Sequence, residues 1–383
     1  MINKRELELY LHIPFCVRKC MYCDFLSAPA DSVTIHAYMK ALEEEIESRA
    51  VEFGDYIVVS VFVGGGTPSI AETKDIEAVL TAIRHSYRLA DDAEITIEVN
   101  PGTVERKKLE AYRSVGVNRL SIGLQSARNE ELKRIGRIHS WQQFLDSYRA
   151  AVEAGFENVN VDIMSTLPGQ SLENYRETLR SVLALEPCVK HISAYSLIVE
   201  EGTELYEKIR RREWQEPDEE LDRLMYIETR DILEAAGYKR YEISNYAREG
   251  YECRHNSGYW RRREYVGFGI GAASLVGQVR FKNSDDLLCY IQSPTQCREE
   301  EQKLSVQEQM EEFMFLGLRM TEGILPAEFE RQFQVPLNDV YGETIEKCIN
   351  DGLLEYGDGM KRLALTQKGL DLSNYCMSQF LLS

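Results

Sequence analysis

Apolar positions along the first two thirds of the chain follow two alternating rhythms. Short runs rich in branched and aromatic residues, with the spacing of strands, occupy residues 8–13, 58–63, 94–99, 119–124, 158–164 and 191–197. Between them the period lengthens to that of amphipathic helices, over residues 35–51, 74–86, 105–114, 142–154, 172–185 and 219–236. Gly116, Gly155 and Gly237 stand where three of these helices stop, as C-terminal glycines do. Six strand–helix units in a row imply an α/β fold with a parallel sheet and right-handed crossovers. Periodicity alone leaves open a doubly wound sheet or a partial barrel. Distinctive residues at the strand ends favour the barrel, because there every strand end meets one mouth. They are the cysteines after the first strand, Gly64-Gly65-Gly66-Thr67-Pro68 after the second, and Glu98 with Asn100-Pro101 at the third. Gln125 ends the fourth, Asp162 lies in the fifth, and Tyr195 and Ser196 lie in the sixth.

After about residue 285 the alternation stops. Helices are expected over 305–317, Pro326–Phe333 and 340–350. A two-stranded wing over 353–356 and Arg362–Leu365 turns at Gly357-Asp358-Gly359, and a last helix starts near Gln367. The expected division is a domain of residues 1–285 and a small helical, winged-helix-like domain of residues 286–383. From Glu301 onward there are fourteen acidic and seven basic residues, so packing or a lid role suits this unit better than DNA binding.

A hydrophobic fraction of 44% and a charged fraction of 28% are ordinary for a globular protein. No apolar run reaches membrane-spanning length, and the N-terminus has no signal-peptide pattern. A cytoplasmic protein without stable membrane insertion is expected, with peripheral contact left open. The net charge of −18 argues against a sequence-independent hold on nucleic acid. Nine cysteines in a reducing compartment suggest metal or catalytic use where they cluster, and small buried residues where they scatter.

Three of the nine cluster. Cys16-x3-Cys20-x2-Cys23 follows the first strand, so a loop can wrap three thiolates round one centre. A fully protein-ligated [4Fe-4S] cluster takes four cysteines, and structural zinc takes four Cys or His ligands. Here three are offered, and Asp24-Phe25 follows where a fourth would be sought. Three thiolates on a four-iron cube leave one iron open to the amino and carboxylate groups of S-adenosylmethionine (SAM). The competing reading is zinc, with His12 or a distant residue as fourth ligand. The glycine run lets backbone amides approach a ligand closely. Glu98 and Asp162 can accept hydrogen bonds from ribose hydroxyls or an ammonium, Gln125 can donate or accept, and Arg137 can pair with a carboxylate.

The segments YLHIPFCVRKCMYCDF, FVGGGTPS, SIGLQS, RIGRIH, TLPGQS, HISAYSLIVEEGT and RYEISNYA together resemble the oxygen-independent coproporphyrinogen III oxidases, the HemN-like radical SAM proteins. The resemblance covers nearly the whole chain. It implies a partial (β/α)6 TIM-like barrel with a C-terminal helical domain. By motif position it implies SAM contacts at Tyr10, Tyr22, Gly65, Gly66, Thr67, Glu98, Gln125, Arg137 and Asp162, with Ser196 and Ala273 as weaker transfers. Two features depart from the oxidases. Those resemble C-x3-C-x2-C-x-C, whereas this chain has Phe25 at the last position. It also carries His255-Asn256-Ser257-Gly258-Tyr259-Trp260, similar to the HNxxYW signature of the HemW-type branch, regarded as haem chaperones. Residues 162–166, DIMST, differ from the usual DLIYG.

That branch implies haem as cargo and haem-accepting proteins as partners. Haem needs an axial ligand, apolar walls and partners for two propionates. His255 is the candidate ligand, with Cys253 and the tyrosines as competitors, Tyr259 and Trp260 are candidate walls, and Arg261-Arg262-Arg263 are candidate propionate partners. The bland alternative is a packed aromatic corner with a structural histidine. The rival function is radical decarboxylation of coproporphyrinogen III propionates to vinyl groups. A third, nucleic-acid modification, suffers from the acidity.

Overall fold

A computed structural model describes residues 5–382. Six parallel strands form its centre: β1 (Arg5–Ile13), β2 (Tyr56–Gly65), β3 (Leu89–Val99), β4 (Arg119–Gln125), β5 (Asn158–Ser165) and β6 (His191–Ser196). The crossovers carry α1 (Ser32–Arg49), α2 (Thr73–Ser86), α3 (Arg106–Ser114), α4 (Asn129–Arg134), α5 (Trp141–Glu153) and α6 (Leu172–Leu183). After β6 come α7 (Glu204–Arg210), α8 (Glu219–Ala235), β7 (Lys239–Arg240), β8 (Asn245–Ala247) and α9 (Arg254–Trp260). The sheet does not close on itself. Beyond β6 it continues antiparallel through β8 and β7, and beyond β1 it continues through β9 (Tyr265–Phe268), β10 (Ala273–Val276), β11 (Val279–Asn283) and β12 (Arg298–Lys303). This is a partial (β/α)6 barrel with antiparallel wings.

Strand alternation divides the side chains. Leu9, Leu11, Val61, Val63, Ile97, Leu120, Ile122, Val161 and Ile192 are fully or almost fully buried in one apolar core with the helices. The intervening positions are largely polar and buried as well: Glu8, Ser60, Glu94, Thr96, Arg119, Ser121, Asn160, His191 and Ser193. A barrel interior built this way is a hydrogen-bonded polar surface. Gly116, Gly155 and Gly237 adopt φ of +92°, +84° and +84° where their helices end, as expected.

The chain continues through α10 (Leu287–Gln292), whose Tyr290 shares the first core, as does Cys297 after it. A second core gathers α11 (Val306–Gly317), α12 (Pro326–Phe333), α13 (Leu337–Asn350), β13 (Leu354–Gly357), β14 (Arg362–Leu365), α14 (Gln367–Asp371) and α15 (Ser373–Ser378). The wing is present as expected, with β13 and β14 antiparallel. Glu312 of α11 ties this unit to the barrel: Arg262 Nε and Arg280 Nη1 donate to it at 2.9 and 2.7 Å. Among the described residues no helix is long and apolar enough to cross a membrane.

Candidate metal and cofactor site

The loop between β1 and α1 carries the three cysteines and is fastened along its length. Cys16 N–H donates to the Ala28 carbonyl, and Ala28 N–H to that of Pro14. Met21 N–H donates to the Ile135 carbonyl after α4, and Leu205 N–H of α7 donates to the Met21 carbonyl. The loop is therefore held from both sides of the mouth. Cys16, Cys20 and Cys23 are partly exposed and line one cavity of about 130 Å³ at the C-terminal ends of the strands. Arg137 Nη1 lies 3.7 Å from Cys20 Sγ, and Thr67 Oγ1 lies 3.4 Å from Cys16 Sγ. The thiolate is the form of cysteine that binds iron.

Eleven residues singled out in the sequence meet at this cavity: the three cysteines, Tyr22, Gly65, Gly66, Thr67, Glu98, Gln125, Arg137 and Asp162. Gly66 is required by close approach, since a Cβ there would stand 2.5 Å from the Phe15 carbonyl oxygen. Gly65, at φ +108°, would drive a Cβ into the His12 ring. The amides of this turn are already engaged, however. Gly65 N–H donates to Glu98 Oε2 at 3.1 Å, Gly66 N–H to the Ile13 carbonyl at 2.8 Å, and Thr67 N–H to the Phe15 carbonyl at 2.7 Å. The expectation that these amides reach a ligand is corrected accordingly. The glycines contribute a Cβ-free wall, and their donors hold the loop and Glu98.

Glu98 and Asp162 form the acidic side. Burial pushes the Glu98 carboxyl up to about 8, with the Asp162 charge adding to the effect. Burial also raises Asp162, against hydrogen bonds from Asn160 at 2.8 Å and Ser121 at 3.1 Å. In the same cavity, Arg137 Nη2 donates to Asn100 Oδ1 at 2.8 Å, and Asn100 Nδ2 donates to Thr67 Oγ1 at 2.6 Å. The cavity therefore has an acidic wall, a cationic wall and three thiols. Asn100 and Ser121 line it without having been singled out as ligand contacts; Ser121's signal was its inward parity with Gly123 on β4.

The other residues lie elsewhere. Tyr10 OH donates to His12 Nδ1 at 3.0 Å, and His12 Nε2 donates to the Leu26 carbonyl at 2.9 Å. Both nitrogens of His12 are thus occupied, which removes it as a fourth metal ligand. Ser196 meets Ser165 Oγ at 3.3 Å, and Ala273 lies on β10 opposite Lys282. His255 sits in the barrel floor, where its Nδ1 lies 2.9 Å from Ser60 Oγ and its ring stacks on Phe62. Ser60 and Gly64 are four residues apart on one strand, so floor and mouth are separated by about 13 Å. His255 is 2% exposed, and burial lowers its pKa to about 3, helped by Arg119 and Arg263. Arg261 pairs with Glu322, Arg262 with Glu312, and Arg263 with Glu6 and Glu8. His255 and the three arginines do not share one opening.

Residues 10–182 match the radical SAM superfamily, and residues 304–372 match the HemN C-terminal domain. The heme chaperone HemW of Lactococcus lactis subsp. lactis is 38% identical over 97% of each chain, and that of Bacillus subtilis is 33% identical over 97% of this chain and 98% of its own. The chain belongs to the HemW family of radical SAM proteins. The HemW of Escherichia coli is 40% identical over 72% of each chain. Among solved structures, the E. coli coproporphyrinogen III oxidase HemN superposes with a TM-score of 0.86 at 25% identity, over 99% of this chain and 90% of that one. Membership of the superfamily implies a [4Fe-4S] cluster and SAM. The donor set of the cavity in this HemW-family chain fits both groups: three thiols share it, a buried guanidinium faces Cys20, and two buried carboxyls line it beside them. Phe25, two residues after Cys23, is 62% exposed at the rim.

Proposed function

We propose that this chain is a haem chaperone: it binds haem and passes it to haem-dependent proteins, with a [4Fe-4S] cluster on Cys16, Cys20 and Cys23 and SAM beside it. One observation carries the choice over the oxidase. Phe25 occupies the place of the oxidases' additional cysteine, at the rim of the cavity, so the loop offers three thiols and no more. The name borne by relatives matching along nearly the full length supports the same reading.

When bound, the cluster supplies one-electron reducing power to the SAM sulfonium. The chain's residues bind and orient. Arg137 faces Cys20 and suits an anionic ligand group, while Glu98 and Asp162 suit an ammonium or ribose hydroxyls. The main-chain fastenings of the loop fix where the thiols stand. Haem-accepting proteins are the partners this reading calls for.

The test is anaerobic reconstitution, followed by iron and acid-labile sulfide analysis, a hemin titration, and incubation with coproporphyrinogen III, SAM and reductant. About four irons and four sulfides per chain, stoichiometric hemin binding and no decarboxylated product are expected. Turnover of the porphyrinogen, or no hemin binding, overturns the reading.

A further inference from the structure

The floor histidine is sealed, yet a second cavity opens on the other side of α9, where the barrel meets the C-terminal unit. It has a volume of about 560 Å³, within the range of about 300–1,000 Å³ typical of small-molecule sites. Its apolar wall comes from Trp260 of α9 and from Phe313, Met320, Ile324 and Leu325. Arg319 lies over the Trp260 ring at 4.2 Å.

Its charge is unusual for so acidic a chain. Arg261, Arg262, Arg331 and Arg362 line it against two acidic lining residues, Glu322 and Glu328, while Glu312 neutralises Arg262 from behind. Arg261 and Arg362 share Glu322, at 2.7 and 3.5 Å. The nearest carboxylate to Arg331 is Glu328, at 3.6 Å, and Asp358 stands 3.9 Å from Arg362. These two guanidinium groups keep donors free for a further anion.

We propose that this cleft between α9 and the C-terminal unit is the haem seat, with the macrocycle against Trp260 and Phe313, the Met320 thioether as iron ligand and the two propionates at Arg331 and Arg362. The proposal rests on the reading of the chain as a haem binder and gives that reading a location. A planar apolar body carrying two carboxylates matches an aromatic and aliphatic wall with two under-paired guanidinium groups, since bidentate arginine–carboxylate pairing is strong and directional. The cleft also accounts for the arginine run without needing access to the floor: Trp260 and Arg261 face the cleft, while His255 on the same helix faces the barrel.

The test uses the reconstituted full chain, with hemin and hemin dimethyl ester as probes. Arg331→Gln with Arg362→Gln is expected to weaken hemin at least tenfold, leaving the ester, which has no carboxylates to pair, bound equally by both proteins. Gln332→Trp, at an exposed rim position, narrows the cleft and is expected to weaken both probes. Unchanged hemin affinity in the arginine variant and in Gln332→Trp overturns the cleft and leaves the chaperone reading standing. So does equal loss of hemin and ester in the arginine variant. Failure of the unaltered chain to bind hemin overturns the chaperone reading itself. Iron and sulfide content should stay constant throughout, because the cleft shares no residue with the cysteine cavity.

Discussion

At the scale of single residues, charge in the barrel floor is governed by burial. Burial pushes Glu8 up to about 8 even though Arg263 donates to it at 2.7 Å. His255, 4.0 Å away, is lowered to about 3. Unfolding returns these groups to about 4.5 and about 6.5, so their contributions to stability run in opposite directions with pH. Glu8 binds more protons folded than unfolded, and its contribution, full below pH 4.5, is lost as pH rises through about 8. His255 binds fewer protons folded, and its contribution, present above pH 6.5, is lost as pH falls toward 3. The two slopes cancel between pH 4.5 and 6.5 and leave Glu8 alone above that. Urea denaturation of the cluster-free chain should therefore show stability declining from pH 6.5 to 8, and Glu8→Gln should remove the part of that decline due to Glu8. At the mouth, Cys20→Ser should lower bound iron and sulfide to a small fraction while leaving far-ultraviolet circular dichroism unchanged, since the loop is fastened by main-chain bonds and not by the thiols.

At the scale of elements, α9 lies so close to β1 that a Cβ on Gly258 would fall 1.8 Å from Glu8 Oε1. Gly258→Ala must displace the buried Glu8 carboxylate from Arg263 or shift the helix, and a loss of about 1–3 kcal/mol is expected by denaturant titration, typical of overpacking. The elements also mark how far the sequence could be read. The six parallel strands were legible because apolar branched residues run along each, and the three thiols because their spacing is local. Strand β3 starts at Leu89, earlier than expected, because the exposed Asp91 and Asp92 follow its first two residues and break the apolar run. Helices α4, α7 and α9 span six or seven residues, too short for a helical period to register. The β10–β11 hairpin did leave a signal, Gly277-Gln278, both at positive φ between two alternating runs. His255 could be picked out as chemically distinctive, but its burial depends on Glu8, Ser60 and Phe62 from strands about 195–250 residues away in sequence. No local pattern encodes that.

At the scale of the whole molecule, barrel and C-terminal unit are joined through a charge with little access to water. Glu312 and Arg262 are 7% and 5% exposed in their side chains. Removing one partner of such a pair strands the other and costs about 3–5 kcal/mol. Glu312→Ala should lower the unfolding midpoint and expose the stretch around β12 to limited proteolysis, while Glu312→Gln should do less because it can still accept hydrogen bonds.

The outermost strand, β12, reads Arg-Glu-Glu-Glu-Gln-Lys, and all six residues are exposed. An unclosed sheet leaves a free fringe of amide and carbonyl groups there, which is a template for another chain. Dense like charge makes that fringe repel its own copy. Replacing Glu299, Glu300 and Glu301 with threonine should turn it adhesive, seen as concentration-dependent light scattering. If the substituted chain stays dispersed, protection of the unsealed side must come from something other than those three carboxylates.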